Sequence, residues 1–415
     1  MIFDWAEDPV AALETRLSRI ARQEALIHSF VAIDEAGARH DAQLAATRRA
    51  QLRPLSPIDG MPIAIKANIA VAGWPLHAGI DAYGTRVAAR DAACVARLRA
   101  GGAVLLGLLN MDEGALGETT DNPHFGRTEN PWRAGFTAGG SSGGAGAAVA
   151  AGFCDAALGT DTLGSVRIPA AFCGVIGHKP RPGQISMDGV VPLAPPLDTV
   201  GILARSVAVA VRVRDWLGME NTAPLASDFG TIGIIPGDGG AGFADVVERA
   251  RGLGCTVQAI GPFDHSLQAI AKAALLIVAL EAHAVHADAR ARNPLGFSDG
   301  FSNILDWGQR QPMERQQAAR TLLAQATEAI ERAFAPFDAV LMPTTPHAAF
   351  AFGESRPSGT AYFTTLANIA GLAATAFPCG ADAKGMPLSV QAVGRDERAG
   401  VGLAARLCRR EDVLF

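Results

Sequence analysis

A chain of 415 residues, 49% of them hydrophobic, can bury a large core, and its length alone allows two or three domains. A net charge of −5 with 19% charged residues excludes the basic footprint of a general nucleic-acid binder. Six scattered cysteines (Cys94, Cys154, Cys173, Cys255, Cys379, Cys408) form no CxxC pair, which argues against a zinc site or a disulfide framework and for a reducing compartment. The first residues carry acids where a secretory signal would be basic. The apolar run Ala273 to Leu280 is bounded by Lys272 and Glu281 and is too short to span a bilayer. The expectation is a soluble, cytoplasmic protein with no membrane or nucleic-acid partner.

Residues 8–50 are alanine-rich with leucine and isoleucine at helical spacing, which predicts two surface helices broken around His28 to Asp34. Pro54, Pro57 and Gly60 punctuate the chain, and Met61 to Val71 reads as a strand. Alternation places Ile63, Ile65 and Ala67 on one face and Ala64, Lys66 and Asn68 on the other. Lys66 is a lone charge in that strand. It reads either as a snorkelling edge lysine or as one kept neutral by desolvation for use as a base. Ala88 to Ala100 reads as a helix, Ala103 to Leu106 as a short strand and Asn110 to Gly117 as another helix. Residues 118–136 turn polar, and loops of that length inside a compact domain are usually functional.

Residues 137–174 carry two glycine-flanked serine turns, one with Ser141 and Ser142, the other with Ser165. A helix, Gly143 to Gly152, and a short strand, Ala156 to Leu158, fill the space between them, and Val166 to Phe172 follows as a short helix. Such turns leave backbone N–H groups free to stabilise developing negative charge, and a serine inside a ring of them suits acyl transfer. The bland alternative, a Gly/Ser linker, conflicts with the apolar Ala145 to Ala151. Residues 178–206 hold Pro-containing turns, with Asp198 to Gly201 as a turn signal, and 221–230 is the weak candidate for a domain boundary. Beyond it strands are predicted at Thr231 to Ile235, Cys255 to Ile260, Ala339 to Met342, Ala376 to Pro378 and Leu388 to Val393. Helices are predicted at Phe243 to Leu253, Ser266 to Arg290, Met313 to Phe334 and Gly400 to Cys408. The alternation argues for an α/β fold with a mixed or parallel sheet covered by helices.

Other chemistries fit poorly. His283 and His286 sit three apart without the HExxH pattern, and His124 and His178 read as residues that brace backbone or line a pocket. No phosphate-loop or dinucleotide fingerprint is present. Gly139 to Gly143 matches the Gly-x-Ser-x-Gly nucleophile elbow, but loop residues 130–135 precede it where a buried strand should stand, and only His347 is placed as a late histidine.

Taken together, Gly-Met-Pro-Ile-Ala-Ile-Lys ending at Lys66, Gly-Gly-Ser-Ser-Gly-Gly around Ser141 and Gly-Thr-Asp-Thr-Leu-Gly-Ser-Val-Arg-Ile-Pro-Ala around Ser165 resemble the amidase signature family. Asn110 to Glu113, Leu197 to Gly201, Asn368 to Leu372 and Gly385 to Leu388 extend the likeness, dense over 60–205 and thin over 338–394. The resemblance implies a mixed central β-sheet covered by helices on both faces, one amidase domain over 1–415 with a more variable middle at 215–335, and a Ser-Ser-Lys triad. Ser165 would be the nucleophile, Ser141 the proton relay and neutral Lys66 the base. A cis peptide bond is expected at Ser141 or before Ser142. Backbone N–H groups of Thr162, Leu163, Gly164 and Ser165 would form the oxyanion hole. An unassisted serine is a weak nucleophile, and a desolvated lysine can activate it without histidine. Ala67, Leu163 and Ala373 depart from the family's usual Asp, Gly and Pro. Asp161 and Arg167 read as an ion pair bracing the turn.

The implied activity is hydrolysis of a small or medium carboxamide with release of ammonia or an amine, without metal or organic cofactor, in a monomer or homodimer. The alternative is the glutaminase-type A subunit of an aminoacyl-tRNA amidotransferase; an inactive binding scaffold is a third reading. Phe125, Trp132, Trp307 and Tyr362 are the candidate substrate-pocket residues.

Overall fold

The computed structural model describes residues 8–218, 225, 226, 228–237, 240–409 and 412. Helix α1 (Pro9–Ile27) begins where Asp8 accepts the Val10 and Ala11 N–H groups, with proline in the first turn, and ends at left-handed His28. Strand β1 (Phe30–Ile33) occupies the break predicted around His28 to Asp34 and forms a sheet edge. Helix α2 (Glu35–Ala50), capped by Asp34, buries only Ala38, Ala42 and Ala45, small residues that let it lie close to its neighbours.

The chain continues through β2 (Pro62–Lys66), α3 (Ala93–Ala100), β3 (Val104–Leu109), α4 (Gly143–Ala150), β4 (Ala156–Asp161), α5 (Arg167–Cys173), β5 (Ile176–Lys179), β6 (Thr199–Ala204) and α6 (Val207–Leu217). Then come β7 (Thr231–Ile234), α7 (Gly240–Gly252), β8 (Thr256–Ala259), α8 (Leu267–Arg292), α9 (Asp299–Gln309), α10 (Met313–Phe334), β9 (Ala339–Pro343), α11 (Tyr362–Ile369), β10 (Ala373–Ala381), β11 (Pro387–Gly394) and α12 (Glu397–Leu407). One eleven-stranded sheet runs in the order β1-β3-β2-β4-β6-β5-β10-β11-β9-β7-β8. β3, β2 and β4 are mutually parallel, as are β9, β7 and β8, while the pairings from β4 through β9 are antiparallel. The sheet is mixed, with helices on both faces.

Alternation assigns each strand's residues to two clusters. Ile63 and Ile65 of β2 and Ala156 and Leu158 of β4 join one cluster with α3, α6, α7 and α12. Ala64 and Ala157 point the other way, into a cluster with α1, α2, α4 and α5. All five β2 residues are buried because both faces are covered.

Several expectations give way. Residues 110–117 form a single 3₁₀ turn at Glu113–Ala115, since Gly114 and Ala115 adopt left-handed φ values of 58° and 64° that no helix continues through. The strand from Met61 stops at Lys66, and the helix expected from Ala88 starts at Ala93. The polar 118–136 loop contains short pairings, Asp121–Asn122 with Gly126–Arg127 and Glu129–Asn130 with Arg133–Thr137. Buried β5 and β6 lie where turns were expected, and α6, α9 and α11 were not foreseen. The boundary candidate at 221–230 falls partly outside the described residues. Helix α8 is long and apolar enough to cross a membrane, but over half of that window is buried, as in a core helix.

Candidate active site

The parallel strands β3, β2 and β4 end side by side, and the chemistry-bearing residues stand at their carboxyl ends, the usual location of sites in such sheets. β3 leads to Asp112, β2 ends at Lys66, and β4 ends at Thr160 and Asp161. Lys66 is fully buried and its Nζ donates to Ser141 Oγ at 2.8 Å and to Thr160 Oγ1 at 3.0 Å. Ser141 follows a cis Gly140–Ser141 peptide bond, at the earlier of the two positions expected. Its carbonyl accepts the Asp112 N–H at 3.2 Å. Gly140 cannot be replaced there, because a Cβ would fall 2.0 Å from Asp112 Oδ2.

The second serine turn is tied to the first by Ser142 N–H donating to the Ser165 carbonyl at 3.2 Å. Ser165 is 8% exposed, whereas Lys66 and Ser141 are 0% exposed, so Ser165 is the member of the three that faces the outside. Gly164 holds φ at 131°, a conformation reserved for glycine, while Leu163 is not among the residues with positive φ and so is accommodated without that strain. Among the described residues, the N–H groups of Thr162, Leu163 and Ser165 have no acceptor. The Gly164 N–H is committed to Asp161 Oδ1 at 2.8 Å, which removes it from the expected set of oxyanion donors.

Asp161 and Arg167 brace this turn from below. Arg167, 0% exposed, donates to both Asp161 oxygens, to the Thr364 carbonyl, to Gln391 and to Asn368. Burial would raise the Asp161 carboxyl, but the charge and hydrogen bonds of Arg167 outweigh it and hold it at about 2. Thr162 is fixed by Asp198 at 2.6 Å, and Thr364 donates to the Leu163 carbonyl at 2.6 Å. Burial pushes the Lys66 ammonium down to about 7, partly opposed by the negative charges of Asp112, Asp198 and Asp161. Burial raises Asp112 to about 6 against the Thr120 N–H it accepts and the nearby Lys66.

A family model described as Amidase matches residues 11–223 and 241–398. The chain belongs to the amidase signature family. It is 34% identical to the A subunit of the glutamyl-tRNA(Gln) amidotransferase of Anaeromyxobacter dehalogenans (strain 2CP-C), over 96% of this chain and 92% of the relative. It superposes with a TM-score of 0.87 and 31% identity on a chain described as part of an unexpected vestigial protein complex that reveals the evolutionary origins of an s-triazine catabolic enzyme, covering 98% and 96% of the two chains. A bacterial aryl acylamidase of the amidase signature family shares the fold at TM-score 0.87 and 23% identity, with 100% and 94% covered.

The four aromatic pocket candidates are not brought together. Phe125 stacks on His77 with ring centroids 3.9 Å apart. Trp132 donates Nε1–H to the Cys173 carbonyl at 2.9 Å and packs with Phe136, Phe172 and Phe350. Trp307, on α9, lies in a cluster drawn from residues 273–323 of α8 and α10. Tyr362 opens α11, the helix that supplies Thr364 and Asn368 to the second serine turn. His124 bonds Glu113 at 3.1 Å, His178 bonds Thr375 at 3.0 Å, and His347 bonds Thr360 at 3.1 Å rather than a serine. His286 meets Tyr83 at 2.9 Å. Sequence reasoning missed Thr160, Asp112 and Asp198 as partners of the site. All three lie inside or beside the motifs that carry the family likeness, but a strand-end threonine or a buried aspartate acquires its role only from what the fold sets beside it.

Proposed function

We propose that this amidase hydrolyses a small or medium carboxamide through an acyl-enzyme on Ser165, releasing ammonia or an amine, within one catalytic domain over 1–415. The supporting observation is the buried 2.8 Å contact between Lys66 and Ser141, with the Ser165 turn hydrogen-bonded to the adjacent Ser142. Neutral Lys66 takes the Ser141 proton while Ser141 takes that of Ser165, and the Ser165 oxygen adds to the amide carbon. The N–H groups of Thr162, Leu163 and Ser165 receive the oxyanion. Collapse breaks the C–N bond, the proton returns through Ser141 to the leaving nitrogen, and water repeats the cycle to free the acid. Phe125 and Tyr362 are the aromatic residues this reading retains for the pocket. A serine-reactive fluorophosphonate should label Ser165, and Ser165→Ala should abolish both labelling and ammonia release from a panel of amides. An adduct on Ser142 instead would sink this assignment.

A second reading is favoured by the name of the curated relative at 34% identity: release of ammonia from glutamine by the chain acting as the A subunit of a glutamyl-tRNA(Gln) amidotransferase. On relatedness it stands ahead of a free-standing amidase. Both readings use the same serine chemistry and differ in the acyl donor and in the need for partner proteins. Ammonia release from glutamine only in the presence of co-purifying partners would establish the second reading. Turnover of other amides by the isolated chain would establish the first.

A further inference from the structure

We propose that His77 is a specificity-determining residue of this amidase, donating its Nε2–H to an uncharged acceptor, such as a second carbonyl, on the acyl part of the substrate. This rests on the acyl-enzyme reading above.

The backbone sets the tautomer. Gly79 N–H donates to His77 Nδ1 at 2.9 Å, so the ring proton resides on Nε2. His77 is only 4% exposed, yet Nε2 has no partner among the described residues and is not one of the fully enclosed polar atoms. The buried histidines His178 and His286 also leave Nε2 without a hydrogen bond, but there the atom is fully enclosed. His178 uses Nδ1 on Thr375 and turns Nε2 towards Glu397 at 3.3 Å. His77 alone of these three keeps a buried donor open.

The ring is also held firmly beside the catalytic strands. Phe125 stacks on it at 3.9 Å with planes 15° apart. Asn122 accepts the Phe125 N–H and donates to the Gly79 and Met111 carbonyls at 2.9 and 2.8 Å, joining the two loops to the end of β3. Ala78 N–H donates at 3.0 Å to the carbonyl of Ala67, the residue after Lys66, and Asp112, the residue after Met111, donates to the Ser141 carbonyl. Ala78 holds φ at 50°, a conformation unfavourable for alanine and tolerated where surroundings enforce it. Burial pushes the His77 imidazolium down to about 4, so the ring offers a hydrogen bond without a charge at neutral pH. A donor of that kind recognises a carbonyl and gives no ion pair to a carboxylate.

Two matched pairs test this: acetoacetamide against butyramide, and 4-oxopentanamide against pentanamide. Each is assayed by ammonia release and by protection of Ser165 from fluorophosphonate. The wild type should favour at least one keto amide by about tenfold, the worth of one neutral hydrogen bond. His77→Phe, which keeps the stack, should lose that preference while the saturated amides change little. His77→Asn can still accept the Gly79 N–H but has no group at the Nε2 position, and should behave alike. Folding is checked by circular dichroism and thermal midpoint. An unchanged preference in a folded variant, equal loss for both members of each pair, or no preference in the wild type overturns the inference. Failure of Ser165 to label at all counts instead against the acyl-enzyme reading.

Discussion

Replacing Lys66 by methionine should abolish turnover and also remove a pH dependence from the stability of the protein. An unfolded lysine holds its proton up to about 10.5, whereas folded Lys66, fully buried, releases it above about 7. Between those values the unfolded chain binds more protons, so wild-type stability rises with pH across that window. Below about 7 both forms are protonated, and the full cost of burying the charge is present. From pH 6.5 to 10 the wild type should gain on the order of 4 kcal/mol relative to Lys66→Met, since each pH unit of separation corresponds to about 1.36 kcal/mol. Methionine leaves Ser141 and Thr160 without the hydrogen bonds Lys66 made, which shifts the absolute difference but not its slope. Urea unfolding of both proteins at pH 6.5, 8 and 10 measures that slope. In the wild type kcat/KM should fall about tenfold per pH unit below about 7, as protonated Lys66 can no longer accept from Ser141. Lys66→Arg retains the charge, cannot serve as a base, and should be inactive. A flat stability difference, or a folded arginine variant with near wild-type turnover, would refute the neutral-base argument.

Asp112 raises the Lys66 value through its negative charge, so Asp112→Asn should move the acid limb of the kcat/KM profile to lower pH; a shift to higher pH would contradict that electrostatic assignment. Arg167→Met leaves Asp161 buried and unpaired, and should destabilise the protein by about 3–5 kcal/mol in urea unfolding, with little loss expected only if the pair were solvated. Leu163→Gly should widen the range of accepted acyl groups while the best small substrate stays within about tenfold, measured as kcat/KM across an amide series; complete loss of activity would mean that Leu163 holds the backbone donors in place.

The site was legible in the sequence to the extent that its chemistry is local. Glycines flanking Ser141 and Ser165 announce turns with free N–H groups, and a lone lysine alternating with isoleucines marks either a snorkelling edge residue or a desolvated base, because strand alternation and glycine stereochemistry act over a few residues. Ile63, Ile65 and Ala64 separate onto the two faces as alternation requires. The strands of buried, uninterrupted apolar character were harder. β6 reads Val-Gly-Ile-Leu-Ala after its opening threonine with every residue buried, and with both faces covered it shows no alternation to distinguish it from a turn-rich connection. Residues 110–117 read as helix, yet Gly114 and Ala115 are left-handed, and the Gly114 N–H donates to the Ala78 carbonyl of a distant segment at 2.9 Å.

By itself, then, the sequence singled out Lys66, Ser141 and Ser165 as candidates, the turns that carry the serines and the alternation of strand and helix, all matters of short-range stereochemistry. Only the tertiary structure decided how far those groups act. Lys66 meets Ser141 across 75 residues and Thr160 across 94, and Arg167 reaches Thr364 across 197. The low value of Lys66 comes from enclosure by both faces of the sheet. The Gly164 N–H, one of the expected oxyanion donors, is taken by one carboxylate oxygen, placed by a buried network with Arg167 and Asn368. Burial and hydrogen-bond partnership are properties of what surrounds a residue, and the surroundings of this site are assembled from segments distant in the chain.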